Sequence, residues 1–274
     1  MADNWLLDST RRAKAALIDT TVPNPARVGD YLAGGRNNFE ADRTASRSLL
    51  AASPAVSMVV PALRAFHQRA VRYLTAGAGV RQFLDLGARL TMSGNTHEVA
   101  QSLAPDSRVV YASSDPVVLS HARALAMSTA DGAVVALDAD PRDPGEVLTG
   151  AAQTLDLTQP VAILLTCTLG FVLDDEEAAE IMLALVGAVP SGSYVAFSHQ
   201  AGDLDATVWA TLRRWNAMSD RQITLRSREQ VAGLLDGLDL VPPGLVPVPE
   251  WRPVPGNPRV EQIIPVYGAV ARKP

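Results

Sequence analysis

The chain has 274 residues, 47% of them hydrophobic and 19% charged, which is enough apolar material for a sizeable core. Its formal net charge of −5, with no Lys/Arg stripe interleaved with aromatics, argues against a nucleic-acid partner. The single cysteine, Cys167, rules out an internal disulfide and a cysteine-based zinc cage, and its apolar neighbours predict a core residue.

In chain order, residues 1–22 read as a moderately amphipathic helix with Trp5, Leu6, Ala16, Leu17 and Ile18 on one face. No apolar h-region precedes it and no run approaches the length of a membrane span, so a cytoplasmic protein without a membrane partner is expected. Residues 23–39 are dense in Pro, Gly and Asn and predict a structured loop with a short helical piece. Residues 40–77 read as helices broken at Pro54, the second carrying Val59, Leu63, Phe66, Ala70, Val71 and Leu74 at helical spacing with His67 beside that stripe.

From residue 81 the pattern alternates. Strands are predicted over 82–86, 108–113, 133–137, 161–168 and 194–198, and helices over 96–103, 116–127, 144–154 and 174–189. The pairs Asp115-Pro116 and Asp143-Pro144, and Asp174 ahead of an acidic first turn, supply helix starts. Strands alternating with helices at this spacing predict a doubly wound, mostly parallel sheet. Further on, helices are expected over 203–218 and 227–235, then a proline-rich segment over 241–258. A last strand is expected over 261–271, placed at the sheet edge because of Pro265. Two domains follow from this: an N-terminal helical cap and loop over 1–79, and an α/β domain over 80–274 with a helical insertion at about 201–236.

The most informative stretch is Phe83-Leu84-Asp85-Leu86-Gly87, a strand leading into a glycine turn, with a helix starting near Gly94-Asn95-Thr96. Strand, glycine turn and helix make the first unit of a nucleotide-binding α/β domain, where glycine lets a cofactor approach the backbone. Two other constellations are weaker. His97-Glu98-Val99-Ala100-Gln101 falls short of a zinc-protease signature because Gln101 is a poor ligand, so no metal is expected. Ser198, His199 and Asp203 contain the residue types of a hydrolytic triad without the nucleophile elbow.

The run 83–87, Gly94 to Gln101, Val109-Val110-Tyr111, Asp115 to Val118 and His121 to Leu125 resembles the actinobacterial S-adenosylmethionine-dependent methyltransferases of the DUF574 type. The blocks 24–39 with Asp42-Arg43, 69–74 and 247–253 extend the resemblance over nearly the whole chain. It implies a seven-stranded methyltransferase-like, Rossmann-like sheet with N-terminal helical additions, and a cofactor held by Asp85, Gly87, the residue at position 113 and Asp138.

The departures fall at that cofactor site. Where the family has D-x-G-T-G-L-P-T, this chain has Asp85-Leu86-Gly87-Ala88-Arg89-Leu90-Thr91-Met92, and Arg89 fills a glycine position. Where the family has V-D-N-D-P, it has Ala112-Ser113-Ser114-Asp115-Pro116, and Ser113 cannot supply a charged bidentate acceptor, a loss of roughly 1.5–3 kcal/mol. The expectation drawn from these departures is a methyltransferase fold that has lost its cofactor and works as a cofactor-independent cyclase or pericyclase, closing a ring by cycloaddition or a related step on an apolar, polyketide-type intermediate. The alternatives are an S-adenosylmethionine-dependent methyltransferase of a small molecule and a non-catalytic binding protein. For the first reading, His67, His199 and Tyr31 are the catalytic candidates. Asn38, Phe39, Met58, Arg89, Trp209 and Trp215 are the substrate-binding candidates, and a homodimer is compatible with an exposed cap face.

Overall fold

Four apolar runs in the middle of the chain form parallel strands because they are buried on both faces, as crossover helices require, and a fifth, half-buried, joins them in parallel at the sheet edge. The structure, a computed structural model, describes residues 18–87, 90, 94–125, 127–254 and 262–274. The strands are β1 (Gln82–Asp85), β2 (Arg108–Ser113), β3 (Ala133–Asp138), β4 (Ala162–Thr166) and β5 (Tyr194–Gln200). They are followed by the short β6 (Asp239–Leu240) and β7 (Val246–Pro247), and by β8 (Val266–Arg272). Their order is β3-β2-β1-β4-β5-β8-β6, with β7 also paired to β8. The sheet thus has eight strands where seven were expected, the additional pairing being the two-residue β7.

The chain runs outward from β1 through β2 to β3 and then returns to β4 on the other side of β1. That reversal opens a crevice at the carboxyl ends of β1 and β4, where ligands bind in sheets of this kind.

Helices α1 (Pro25–Leu32), α2 (Glu40–Ala52) and α3 (Val56–Arg72) precede the sheet, and a π-helical turn at Tyr73–Gly77 ends α3. Within the alternating region lie α4 (Thr96–Leu103), α5 (Pro116–Leu125), α6 (Pro144–Ala151) and α7 (Asp175–Gly187), then α8 (Val208–Met218) and α9 (Arg228–Gly233). Their starts follow the local chemistry. Asn24 caps α1, Asp143 caps α6 and Asp174 caps α7 through side-chain oxygens that accept from the first-turn N–H groups.

The core has two faces. On one, Leu84, Val110, Ile163 and Phe197 meet α6 and α7; on the other, Phe83, Val109, Tyr111 and Leu164 meet α3 and α4. Phe66 of α3 belongs to the second face, 1% exposed, with its ring edge-on to Trp251 at 5.6 Å. A Cβ at Gly268 of β8 would lie 3.0 Å from that ring, so glycine lets α3 settle onto the strand.

Some expectations are corrected. The last strand is interior, between β5 and β6, because Pro265 precedes it: β8 opens at Val266, and the Pro265 carbonyl accepts from Ala201 N. The strand expected over 161–168 stops at Thr166, since Cys167 takes a left-handed φ of 57°. The helix expected from 203 begins at Val208. Of the helix expected over 1–22, residues 1–17 lie outside the described residues and 18–22 are not helical. Among the described residues, no single helix is long and apolar enough to cross a membrane.

Candidate functional site at the carboxyl end of the first strand

Asp85, the last residue of β1, is 3% exposed yet carries a carboxylate, so it must be solvated by the protein. Its Oδ1 accepts from Gly87 N at 2.9 Å, and its Oδ2 accepts from the Thr96 hydroxyl at 2.5 Å. Thr96 is delivered there by the start of α4, where Asn95 N donates to Glu98 Oε2 at 3.0 Å in the manner of a capping box. Gly87 allows the turn to lie against β4: a Cβ there would stand 2.9 Å from Thr166 N.

His67 enters from α3. Its Nε2 lies 2.9 Å from Thr96 Oγ1 and 3.9 Å from Asp85 Oδ2, and its Nδ1 lies 3.5 Å from Thr166 Oγ1. Thr96 Oγ1 donates to Asp85 Oδ2 and stands beside His67 Nε2, while His67 Nδ1 faces Thr166 Oγ1. The chain Asp85–Thr96–His67 therefore fixes the orientation of the imidazole.

These groups border a cleft lined by Arg64 and His67 of α3, the β1 end, residues 94–97, Tyr111 of β2 and the inner side of α5 from His121 to Leu125. His97 and Tyr111 form its floor, their side chains paired at 2.8 Å, while the Tyr111 hydroxyl also accepts from His97 N at 2.9 Å. Burial lowers the His97 pKa and raises that of Tyr111, so both stay neutral in the physiological range.

The cleft brings together His67, Asp85 and Gly87 from the sequence-based candidates. Tyr31, Asn38, Phe39, Met58, His199, Trp209 and Trp215 are not part of its described lining. Asn38 is tied into its own loop by bonds to Asp30 Oδ2 and the Gly35 carbonyl. Phe39 and Met58 are exposed, Tyr31 is half-buried, and exposed Trp209 donates to the Gly202 carbonyl. Trp215 packs against Val28, Ala45 and Leu49 and donates to the Arg221 carbonyl. Arg89 lies outside the described residues.

His199 is fully buried. Its Nδ1 donates to the Gln200 carbonyl at 2.9 Å, and its Nε2 accepts from Arg226 Nη1 at 2.7 Å. Burial, with Arg226 adding to it, pushes its pKa down to about 4. Arg226 also donates to Asp175 and to the carbonyls of Leu169, Val172 and Asp174, so this histidine serves a buried arginine hub. Nor is there a hydrolytic triad: Ser198 Oγ accepts from Cys167 N, and Asp203 accepts from Tyr267 and Arg228.

The sequence reading missed Thr96, Tyr111, Thr166 and Arg226. Thr96 had a usable signal, a hydroxyl in the first helical turn after a strand-end acid. Arg226 had none, because nothing local marks an arginine that will be 1% exposed.

A doubly wound parallel sheet ending in an antiparallel strand, with a cleft at the carboxyl end of β1, defines a methyltransferase-like α/β protein. The family profile described as S-adenosyl methyltransferase matches residues 11–274, and the chain belongs to that family. It is similar to a DUF574 family protein from Streptomyces avermitilis, with 38% identity, coverage of 94% of this chain and 100% of that one, and a TM-score of 0.91. It is also similar to a candidate methyltransferase from Thermobifida fusca, with 32% identity, coverage of 93% and 96%, and a TM-score of 0.86. A search of the curated proteins finds no match.

The family match moves the balance from the ring-closing reading to its methyltransferase alternative. One departure behind the ring-closing reading, Arg89, lies outside the described residues. The other, Ser113, stands at the end of β2, where its Oγ accepts from Asp115 N.

Proposed function

We infer that this protein is an S-adenosylmethionine-dependent methyltransferase acting on a small molecule. The observation that carries the reading is the Asp85–Thr96–His67 chain bordering a cleft at the carboxyl end of β1. The residues present suit the amino-acid end of the cofactor. Gly87 keeps the turn flat against β4, and the Asp85 carboxylate, with lone pairs beyond its two bonds, suits a cationic ligand.

When bound, the cofactor supplies a methyl group on a sulfonium: the acceptor's lone pair forms the new bond to carbon, and the carbon–sulfur pair stays on sulfur. The His67 imidazole, which borders the cleft, takes the proton that the acceptor's O–H or N–H sheds. The imidazolium so formed faces Asp85 at 3.9 Å and keeps its hydrogen bond to Thr96.

The test is calorimetric titration with S-adenosylhomocysteine, followed by transfer of labelled methyl from S-adenosylmethionine to a panel of phenols, amines and carboxylic acids. Micromolar binding and labelled product are expected. His67→Asn should keep S-adenosylhomocysteine affinity within about threefold while lowering transfer by about 10²-fold or more. Absence of binding up to millimolar ligand overturns the reading.

A further inference from the structure

We propose that Gln200 is a specificity-determining residue of the methyl-acceptor site, its carboxamide receiving a second hydrogen-bond donor, a hydroxyl or amine, on the acceptor molecule. This rests on the methyltransferase reading above. Gln200 is the last residue of β5, at the carboxyl edge of the sheet where ligands bind. Among the described residues, four buried side-chain polar atoms lack a hydrogen-bond partner: Ser107 Oγ, Gln200 Oε1, Thr211 Oγ1 and Trp251 Nε1. Ser107 precedes β2 at the opposite edge, Thr211 sits within α8, and Trp251 packs edge-on to Phe66 and Tyr73. Of the four, the Gln200 oxygen alone stands at the carboxyl end of a strand.

Gln200 also faces the side from which His67 enters. Strand residues alternate between the two faces of a sheet. Ala196 of β5 belongs to the α3 face of the core, so Ser198 and Gln200 point to that face, as does Val266, in register with Gln200 on β8. Ser198 is in register with Thr166 of β4, whose Oγ1 lies 3.5 Å from His67 Nδ1. One strand spacing and two residues of rise separate Thr166 from Gln200, about 8 Å, the span of one substituted ring.

The backbone of Gln200 is held and its side chain is not. Its carbonyl accepts from His199 Nδ1 at 2.9 Å and from Arg226 N at 3.2 Å, which anchors the position to the buried arginine. The carboxamide lies over Gly170, where a Cβ would collide with Oε1 and stand 3.3 Å from Nε2. Gly170 thus leaves the volume in which the amide turns about its last side-chain bond, a torsion with a broad minimum. An acceptor oxygen stripped of water and given no bond destabilises the free chain. A ligand hydroxyl or amine that reaches it removes that penalty, and a molecule without the donor does not, which is how such a site discriminates.

The experiment titrates the full chain, saturated with S-adenosylhomocysteine, with catechol, resorcinol, hydroquinone and the monomethyl ether of each, on the wild type and Gln200→Met. In the wild type at least one diol should bind about tenfold or more tighter than its ether. Gln200→Met keeps the side-chain length and removes the amide. It should erase that preference by weakening the diol alone, with S-adenosylhomocysteine affinity unchanged within about threefold. Its ligand-free melting temperature should match or exceed that of the wild type, because no bond within the protein is lost. Diol and ether bound alike by the wild type, or a preference that survives Gln200→Met, overturns the assignment and leaves the methyltransferase reading standing. A lower melting temperature in ligand-free Gln200→Met assigns the amide to the fold and overturns it too. No S-adenosylhomocysteine binding by the wild type overturns that reading and the assignment with it.

Discussion

At Gly87 the space for one methyl group is already taken by β4. A Cβ there would press on Thr166 backbone at 2.9 Å, and neither strand end can yield without disturbing Asp85 or His67. Gly87→Ala is therefore expected to destabilise by about 1–3 kcal/mol and to weaken S-adenosylhomocysteine about tenfold, read by melting and calorimetry. His199 makes a different residue-scale prediction. Its folded pKa of about 4 lies below the ordinary 6.5, so between these values the unfolded chain binds the extra proton. Its contribution is thus intact above about pH 6.5 and lost as pH falls toward 4, with a slope of about 1.4 kcal/mol per pH unit at its steepest. Denaturant titrations across that window should show a flatter pH dependence in His199→Gln. An unchanged slope would mean that other groups carry it.

Among the elements, α3 has the largest influence on the site, because it brings His67 and Arg64 over the end of β1. It is fastened from its far side. Arg69 donates to the Trp251 and Val248 carbonyls at 2.8 and 2.7 Å, and Phe66 fills the space between Trp251 and Gly268. Phe66→Ala should cost about 3–5 kcal/mol and lower the melting temperature by roughly 10 °C. It should also lower methyl transfer more than S-adenosylhomocysteine affinity, since the imidazole moves while Asp85 and Gly87 do not. Equal losses in both would place Phe66 in general stability alone.

For the molecule as a whole, a ligand that binds only the folded chain raises its stability by mass action. At 100 times its dissociation constant, S-adenosylhomocysteine should add about 2.7 kcal/mol, visible as a rise of several degrees in the melting temperature. That shift needs no knowledge of the methyl acceptor. Its absence at millimolar ligand would count against the methyltransferase family role for this chain, whatever the acceptor.

Much of the architecture was legible because its causes are local. Short apolar runs such as Phe83–Leu84 and Ile163–Leu165, alternating with helical stretches, read as interior parallel strands, and Asp143, Asp174 and Ser227 announce helices through caps within three residues. Asp85 and Gly87 were legible for the same reason, as a strand end and its turn. What tertiary structure decided depends on residues far apart in the chain. His67 meets Thr96 across 29 positions and Thr166 across 99, and only their meeting turns a histidine beside a helical stripe into an oriented base. His199 at a strand end read equally well as a catalytic group, until Arg226, 27 residues on, claimed its Nε2. β8 looked like an edge strand from its proline and became interior through pairing with β5 and β6 on either side. Local sequence sets backbone preference and burial pattern. The partners of a buried polar group are chosen by the packing of distant segments, and this is where the chemistry of the site arises.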